Sequence, residues 1–174
     1  YTPGTLQLLA LSLLFAALAL SYNLLFGTAD LLSFGHALYF AVGAYGLGVI
    51  LQTTDLALVP AMGLTLAGVI VVAYLIGALS LRVTGISFAM VTLAFAQAGN
   101  VLVRRNPAIT GGDEGLRLAT ENVPDFLVGV VNTRNLYWLA LALLVIVFVV
   151  VTWFENSRVG HLVTATRENE LRVR

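Results

Sequence analysis

Charge is spaced along this chain as no soluble domain would space it. No Asp, Glu or Arg precedes Asp30, and none lies between Asp30 and Asp55, Asp55 and Arg82, Arg82 and Arg104, or Arg134 and Glu155. Roughly 20 apolar residues in helix cross a bilayer core, and each charge-free run is long enough. Strands would have to alternate polar with apolar residues and close into a barrel; these runs do not alternate. The spacing predicts an all-α integral membrane protein. Its fold is a polytopic helix bundle with about five spans, at residues 6–27, 33–52, 57–81, 86–103 and 136–154. Residues 1–154 form the bundle, with a polar loop at 104–135, and 155–174 form a separate amphipathic segment.

Composition narrows the chemistry. The chain is 59% hydrophobic and 10% charged, with a mean hydropathy of +0.94, whereas soluble domains carry about a quarter charged residues. Nine Arg balance nine Asp plus Glu and there is no Lys. No basic patch points to nucleic acid, and neither a Walker-type phosphate loop nor a Schiff base can be built without lysine. The absence of Cys excludes disulfides, thiolate metal sites and cysteine nucleophiles. Two histidines far apart and no carboxylate within a span offer no catalytic or metal cluster. A channel would need charged rings or a carbonyl filter motif, and neither is visible. The chain starts at Tyr1 and stops inside a charged segment, so we expect a fragment; no basic n-region suggests a signal peptide.

The spans differ in character. The first is rich in Leu and Ala, with only Gln7, Ser12, Ser21 and Asn23 as polar groups, and reads as an outer, lipid-facing helix. In the second, Ser33, Ala37 and Ala41 lie four apart, Ala44 and Gly48 stay near that face, and Gly35, Gly43 and Gly46 add small positions. Small residues let helix backbones approach closely in lipid, so this helix is expected to be central. Its glycines would also permit a break in the middle. His36 opens the span, either as an interfacial histidine on a backbone carbonyl or as a proton-relay or substrate group. Asp30, Ser33 and His36 are close in sequence, but no acyl-enzyme signature surrounds Ser33, and triads are defined by geometry.

The third span has Pro60 in its first turn, where a missing N–H costs little, and small pairs at Gly63–Ala67 and Ala73–Gly77. It is long enough to tilt. A turn through Arg82 to Gly85 leads into the fourth span, which carries Thr92, Ala96 and Asn100 on one stripe with Gln97 beside it. That face should meet another helix or a cavity, as interhelical glue or as the lining of a path.

From Arg104 to Arg134, Pro107, Thr110-Gly111-Gly112-Asp113-Glu114-Gly115 and Pro124 interrupt helix repeatedly. The two acids exclude a phosphate loop, and the apolar piece Phe126 to Val131 is too short to cross. The fifth span has Tyr137-Trp138 at one end and Trp153-Phe154 at the other, as interfacial aromatic belts do. In the tail, Val159, Leu162, Val163 and Thr166 can share one helix face, and Glu168–Arg172 and Glu170–Arg174 are i,i+4 pairs. The mixed charge favours a protein partner over a lipid surface. Five arginines on the side of Arg82 and the tail, against four opposite, do not decide orientation.

Six segments, in order, resemble one known family. They are Leu31-Leu32-Ser33-Phe34-Gly35-His36-Ala37, Gly43-Ala44-Tyr45, Thr84 through Phe95, Thr110 through Leu116, Ser157-Arg158-Val159-Gly160 and Ala165 through Glu170. Together they resemble the branched-chain amino acid permeases of ABC importers, more narrowly the subunit usually encoded as the second permease. The resemblance implies a transport subunit and not an enzyme, without a cofactor of its own. It also implies a heterodimer with a second permease subunit, two cytoplasmic ATPase subunits that bind ATP and Mg, and a soluble substrate-binding protein. The setting is the plasma or inner membrane of a bacterium or archaeon. Family members continue for several more helices, so this chain should be about the N-terminal half.

By the same resemblance, Ser157, Arg158, Gly160, Arg167, Glu168 and Glu170 belong to a coupling segment seated in a groove of the ATPase. That makes the tail and Arg82 cytoplasmic and puts the loop bearing Thr110, Gly111, Gly112 and Gly115 outside. Thr164-Ala165-Thr166 departs from the more apolar or basic residues of relatives. The implied solute is leucine, isoleucine, valine or a related compound; urea, short amides or another amino acid are the alternatives. Ser33, His36, Thr92, Gln97 and Asn100 are the candidate path residues.

Overall fold

The computed structural model describes residues 3–112, 115–116, 123–124, 132–161 and 163. Among these residues every regular element is helical. In order they are α1 (Pro3–Asn23), a π-helical turn (Leu24–Thr28), α2 (His36–Thr53), α3 (Leu58–Ser80), α4 (Ile86–Arg105), α5 (Pro107–Thr110) and α6 (Thr133–Glu155). Four stretches are long and apolar enough to cross a membrane: Gly4–Thr28, Leu58–Ser80, Ile86–Arg105 and Thr133–Glu155. The second expected span is present as the 18-residue α2. It is not among the four, because His36, Tyr39, Tyr45, Gln52 and Thr53 dilute its apolar residues. At 1.5 Å per residue it is still about 27 Å long.

The chain divides into two compact units, Tyr1–Leu32 with Asp125–Arg174, and Ser33–Pro124. In the first, α1 and its π turn pack on α6. The buried positions of α1 are Ala10 and Ala17, and those of α6 are Thr133, Ala140 and Val151. Seven residues separate Ala10 from Ala17, and Thr133 from Ala140, which is the repeat of two helices that stay in register over successive pairs of turns. The π turn ends in a left-handed cap. Asp30 takes a left-handed φ of 55°, its N–H donates to the Phe26 carbonyl (3.1 Å), and the Leu31 N–H donates to the Leu25 carbonyl (3.3 Å).

In the second unit, α2 packs against α3, α4 and α5, and α3 also packs on α4. Gly43 faces Val69 and Gly46 faces Thr65, so α2 and α3 run antiparallel. The mid-span break that its glycines would permit does not occur: α2 is continuous from His36 to Thr53, and the irregular backbone lies before it. The turn between α3 and α4 is tight. The N–H groups of Arg82 and Val83 donate back to Leu79 and Ser80, and Gly85 precedes α4 at φ 61°, ψ −134°, a conformation open essentially to glycine alone.

Burial runs opposite to that of a soluble protein. Small residues such as Ala10, Ala17, Ala61, Ala89 and Ala140 are buried, while Val59, Tyr74, Ile86, Met90 and Trp153 are largely exposed. In water such a surface would aggregate. In hydrocarbon it costs nothing, and close backbone packing is the gain that remains.

Ser80 is buried at the end of α3, and its hydroxyl has no hydrogen-bond partner among the described residues. Its role here is to be small, so Ser80→Ala should leave the thermal midpoint of the detergent-solubilised protein unchanged or slightly raised. Ser80→Leu should lower it, since overpacking typically costs roughly 1–3 kcal/mol of stability.

Candidate functional site

The second unit is organised around the place where the chain enters α2. Ser33 and Thr92 are both buried. The Phe34 N–H donates to Thr92 Oγ1 (3.2 Å), and the same hydroxyl donates to the Ala89 carbonyl (2.9 Å). Gly35 sits directly on the backbone of α4, where an added Cβ would lie 2.6 Å from the Thr92 carbonyl oxygen. Thr92 is six residues into α4, or about 9 Å along its axis. Helix α2 therefore starts level with the second turn of α4 rather than with its first.

Above this seat the two helices leave a groove of about 610 Å³, within the range of small-molecule sites. Ala37, Leu38, Ala41, Tyr45 and Val49 line it from α2; Ala96, Gly99, Asn100 and Val103 line it from α4; Thr110 comes from α5. The lining is aliphatic apart from Tyr45, Asn100 and Thr110. The Thr110 hydroxyl already serves the corner between α4 and α5. It lies 2.6 Å from the Val103 carbonyl and 2.8 Å from that of Asn106, and it accepts the Gly112 N–H (3.3 Å). Tyr45 and Asn100 are thus the polar groups left to meet whatever occupies the groove. At the lower end Leu38 fills the notch left by the missing side chain of Gly99: a Cβ there would overlap Leu38 Cδ1.

The glycine-rich motif has a local structural role. Gly111, Gly112 and Gly115 all take left-handed φ, at 74°, 57° and 78°. The backbone folds back so tightly that a Cβ on Gly111 would strike the Gly115 carbonyl. This knot caps α5 and holds Thr110 at the end of the groove.

In the first unit, Ser157-Arg158-Val159-Gly160 forms a corner after α6. The Gly160 N–H donates to Ser157 Oγ (3.1 Å), the Ser157 hydroxyl donates to the Phe154 carbonyl (2.6 Å), and the His161 N–H donates to the Ser157 carbonyl (3.1 Å). Ser157 therefore caps a new helical turn at 158–161. Gly160 is pressed against the last carbonyls of α6, where a Cβ would clash with Phe154 and lie 2.8 Å from the Glu155 carbonyl oxygen. Arg158, Val159 and His161 are left exposed.

Residues 4–174 match the model of the family described as branched-chain amino acid transport system, permease component. The chain belongs to this permease family. Two curated relatives are the high-affinity branched-chain amino acid transport system permease proteins LivM of Escherichia coli K12 and of Salmonella typhimurium LT2. The first is 31% identical over 116 residues, 65% of this chain and 27% of the relative. The second is 30% identical over 115 residues, again 65% and 27%. The matched part thus spans little more than a quarter of either relative's length. No solved structure matches the chain. Membership and the four membrane-crossing helices make this a multi-pass membrane protein of a transport permease family.

Within this permease chain the five candidate path residues separate. Asn100 lines the groove. Ser33 and Thr92 lie at the seat below it, buried against each other's segments. His36 opens α2, half-buried, with its ring edge-on to Tyr39 at 6.4 Å. Gln97 is exposed and is not part of the lining. Of the glycine-rich loop motif, Thr110 reaches the groove, while Gly111, Gly112 and Gly115 shape the loop. Of the residues expected to couple to an ATPase, Ser157, Arg158 and Gly160 form the corner; Arg167, Glu168 and Glu170 lie outside the described residues, as does the piece from Phe126 to Val131. Leu38, Tyr45 and Gly99 escaped sequence reasoning as site residues. An apolar side chain and a lone glycine carry no chemical signal until their helices are placed together.

Thr92→Val removes the acceptor of the Phe34 N–H and should destabilise the protein by about 1–3 kcal/mol, the cost of leaving a buried donor unpaired. Thr92→Ser keeps the hydroxyl and should retain most of the stability. Thermal unfolding of both variants in detergent checks the pair, and equal midpoints for Val and Ser would refute the role assigned to the hydroxyl.

Proposed function

We propose that this chain is part of the membrane permease subunit of an ATP-driven importer for branched-chain amino acids, with leucine, isoleucine and valine as solutes. The groove between α2 and α4 is the observation that carries the reading. It is concave, aliphatic on both walls, and polar mainly at Tyr45 and Asn100. Such a surface suits a solute with an apolar side chain and one polar end. Family membership over residues 4–174 supports the same class. The aliphatic lining favours these solutes over urea or short amides.

In this reading the solute passes along α2 and α4, and alternating access is driven by ATP-binding partner subunits. Only a partner with different affinity for the two states can drive such a shift. The corner at Ser157–Gly160 supports an attachment point. A serine cap and a glycine held against the end of α6 fix the corner from which the tail departs, as a segment gripped by another protein requires. The tail and Arg82 are then cytoplasmic, Thr110–Gly115 is external, a second permease subunit completes the bundle, and a soluble binding protein delivers the solute. The membrane is the plasma or inner membrane of a prokaryote.

Two measurements test this on the full-length permease with its partners. In a cysteine-free background, Asn100→Cys should render leucine uptake sensitive to a polar thiol reagent, with leucine protecting. Uptake indifferent to modification would remove the groove from the path. Reversing the charges of Arg167 and Glu168 should abolish co-purification of the ATPase together with uptake. Wild-type association and uptake would overturn the coupling role.

A further inference from the structure

We infer that Leu38 and Gly99 together form a size filter in the groove, one that sets how large an aliphatic side chain the permease passes. The inference rests on the reading of the groove as the solute path. Leu38 and Gly99 both line the groove, and they meet at its wall. The Leu38 side chain occupies the position that a Cβ on Gly99 would take. Neither backbone can yield. Gly99 lies inside the regular helix α4. Leu38 lies in the first turn of α2, where its N–H donates to the Gly35 carbonyl (3.0 Å), and Gly35 is itself pressed against Thr92. What can yield is the end of the Leu38 side chain, and the open volume beside it is the groove.

The missing methyl of Gly99 therefore stores Leu38 inside the wall of α4. A methyl restored there would push the isobutyl group into the passage. The neighbouring wall positions Ala37, Ala41 and Ala96 are small, so a displaced Leu38 side chain has room to enter the passage and narrow it there. The occupant that this geometry sorts is the aliphatic side chain of a neutral amino acid, graded by its bulk.

The experiment compares leucine with alanine in proteoliposomes holding the complete importer and its binding protein. Gly99→Ala should lower the leucine-to-alanine ratio of maximal rates by roughly tenfold, the discrimination a single methylene commands in an apolar pocket. Adding Leu38→Ala to that variant should restore the ratio, because the displaced side chain is gone. Leu38→Ala alone should raise phenylalanine uptake relative to leucine. An unchanged leucine-to-alanine ratio in an assembled Gly99→Ala complex overturns the filter, as does a lowered ratio that Leu38→Ala fails to restore. Should Gly99→Ala not assemble, Leu38→Ala alone decides: a raised phenylalanine-to-leucine ratio supports the filter and an unchanged one overturns it. Thiol sensitivity at Asn100→Cys separates the two levels. If modification blocks uptake but the ratios do not move, the filter falls and the path stands. If modification has no effect, both fall.

Discussion

The helices of the second unit are held together by the approach of backbone to backbone, and everything described at the groove depends on it. In hydrocarbon, burying a leucine against another leucine gains little over burying it against lipid. What remains is close packing and the hydrogen bonds that close packing permits. Gly35 lies directly against the Thr92 carbonyl, and the Phe34–Thr92 bond locks the approach. With the chain pinned there at the N-cap of α2, the small positions Ala37 and Ala41 line the groove together with Ala96 and Asn100.

That seat also explains why irregular backbone is tolerated before α2. Unpaired N–H and C=O groups are costly at membrane depth unless another part of the protein satisfies them. The Thr92 hydroxyl supplies one acceptor to the Phe34 N–H, and the glycine lets the chain lie close enough to be shielded by α4. A threonine in a helix satisfies itself on the preceding turn, here on Ala89, and retains a lone pair for a neighbour. The same economy recurs at Thr110 and at Ser157, where one hydroxyl serves a helix end and the backbone that leaves it.

Motifs that read in sequence as chemical signatures divide, in the folded chain, into those that shape backbone and those that line space. Gly111, Gly112 and Gly115 belong to the first kind, since all three need left-handed φ. Ser157 and Gly160 also belong there, turning the chain sharply at the end of α6. Asn100 belongs to the second kind. Thr92 looked from its spacing like a companion of Asn100, yet two turns separate them, and the lower one is consumed in holding α2 while the upper one looks into the groove.

The sequence alone determined the helical class of a multi-pass membrane protein, because a charge inside hydrocarbon is too expensive to be placed there by chance. It also marked the face of α2 made of small residues and the loop that only glycine can form, since backbone geometry leaves a direct trace in residue type. It could not show that α2 begins level with the second turn of α4, that its glycines leave the helix unbroken, or that Leu38 rests in the notch of Gly99. Those facts arise from the meeting of two segments distant in the chain, and an apolar residue gives no sign of which apolar neighbour it will touch. Tertiary structure decided them because shape, not residue class, determines how closely two helices in lipid can lie.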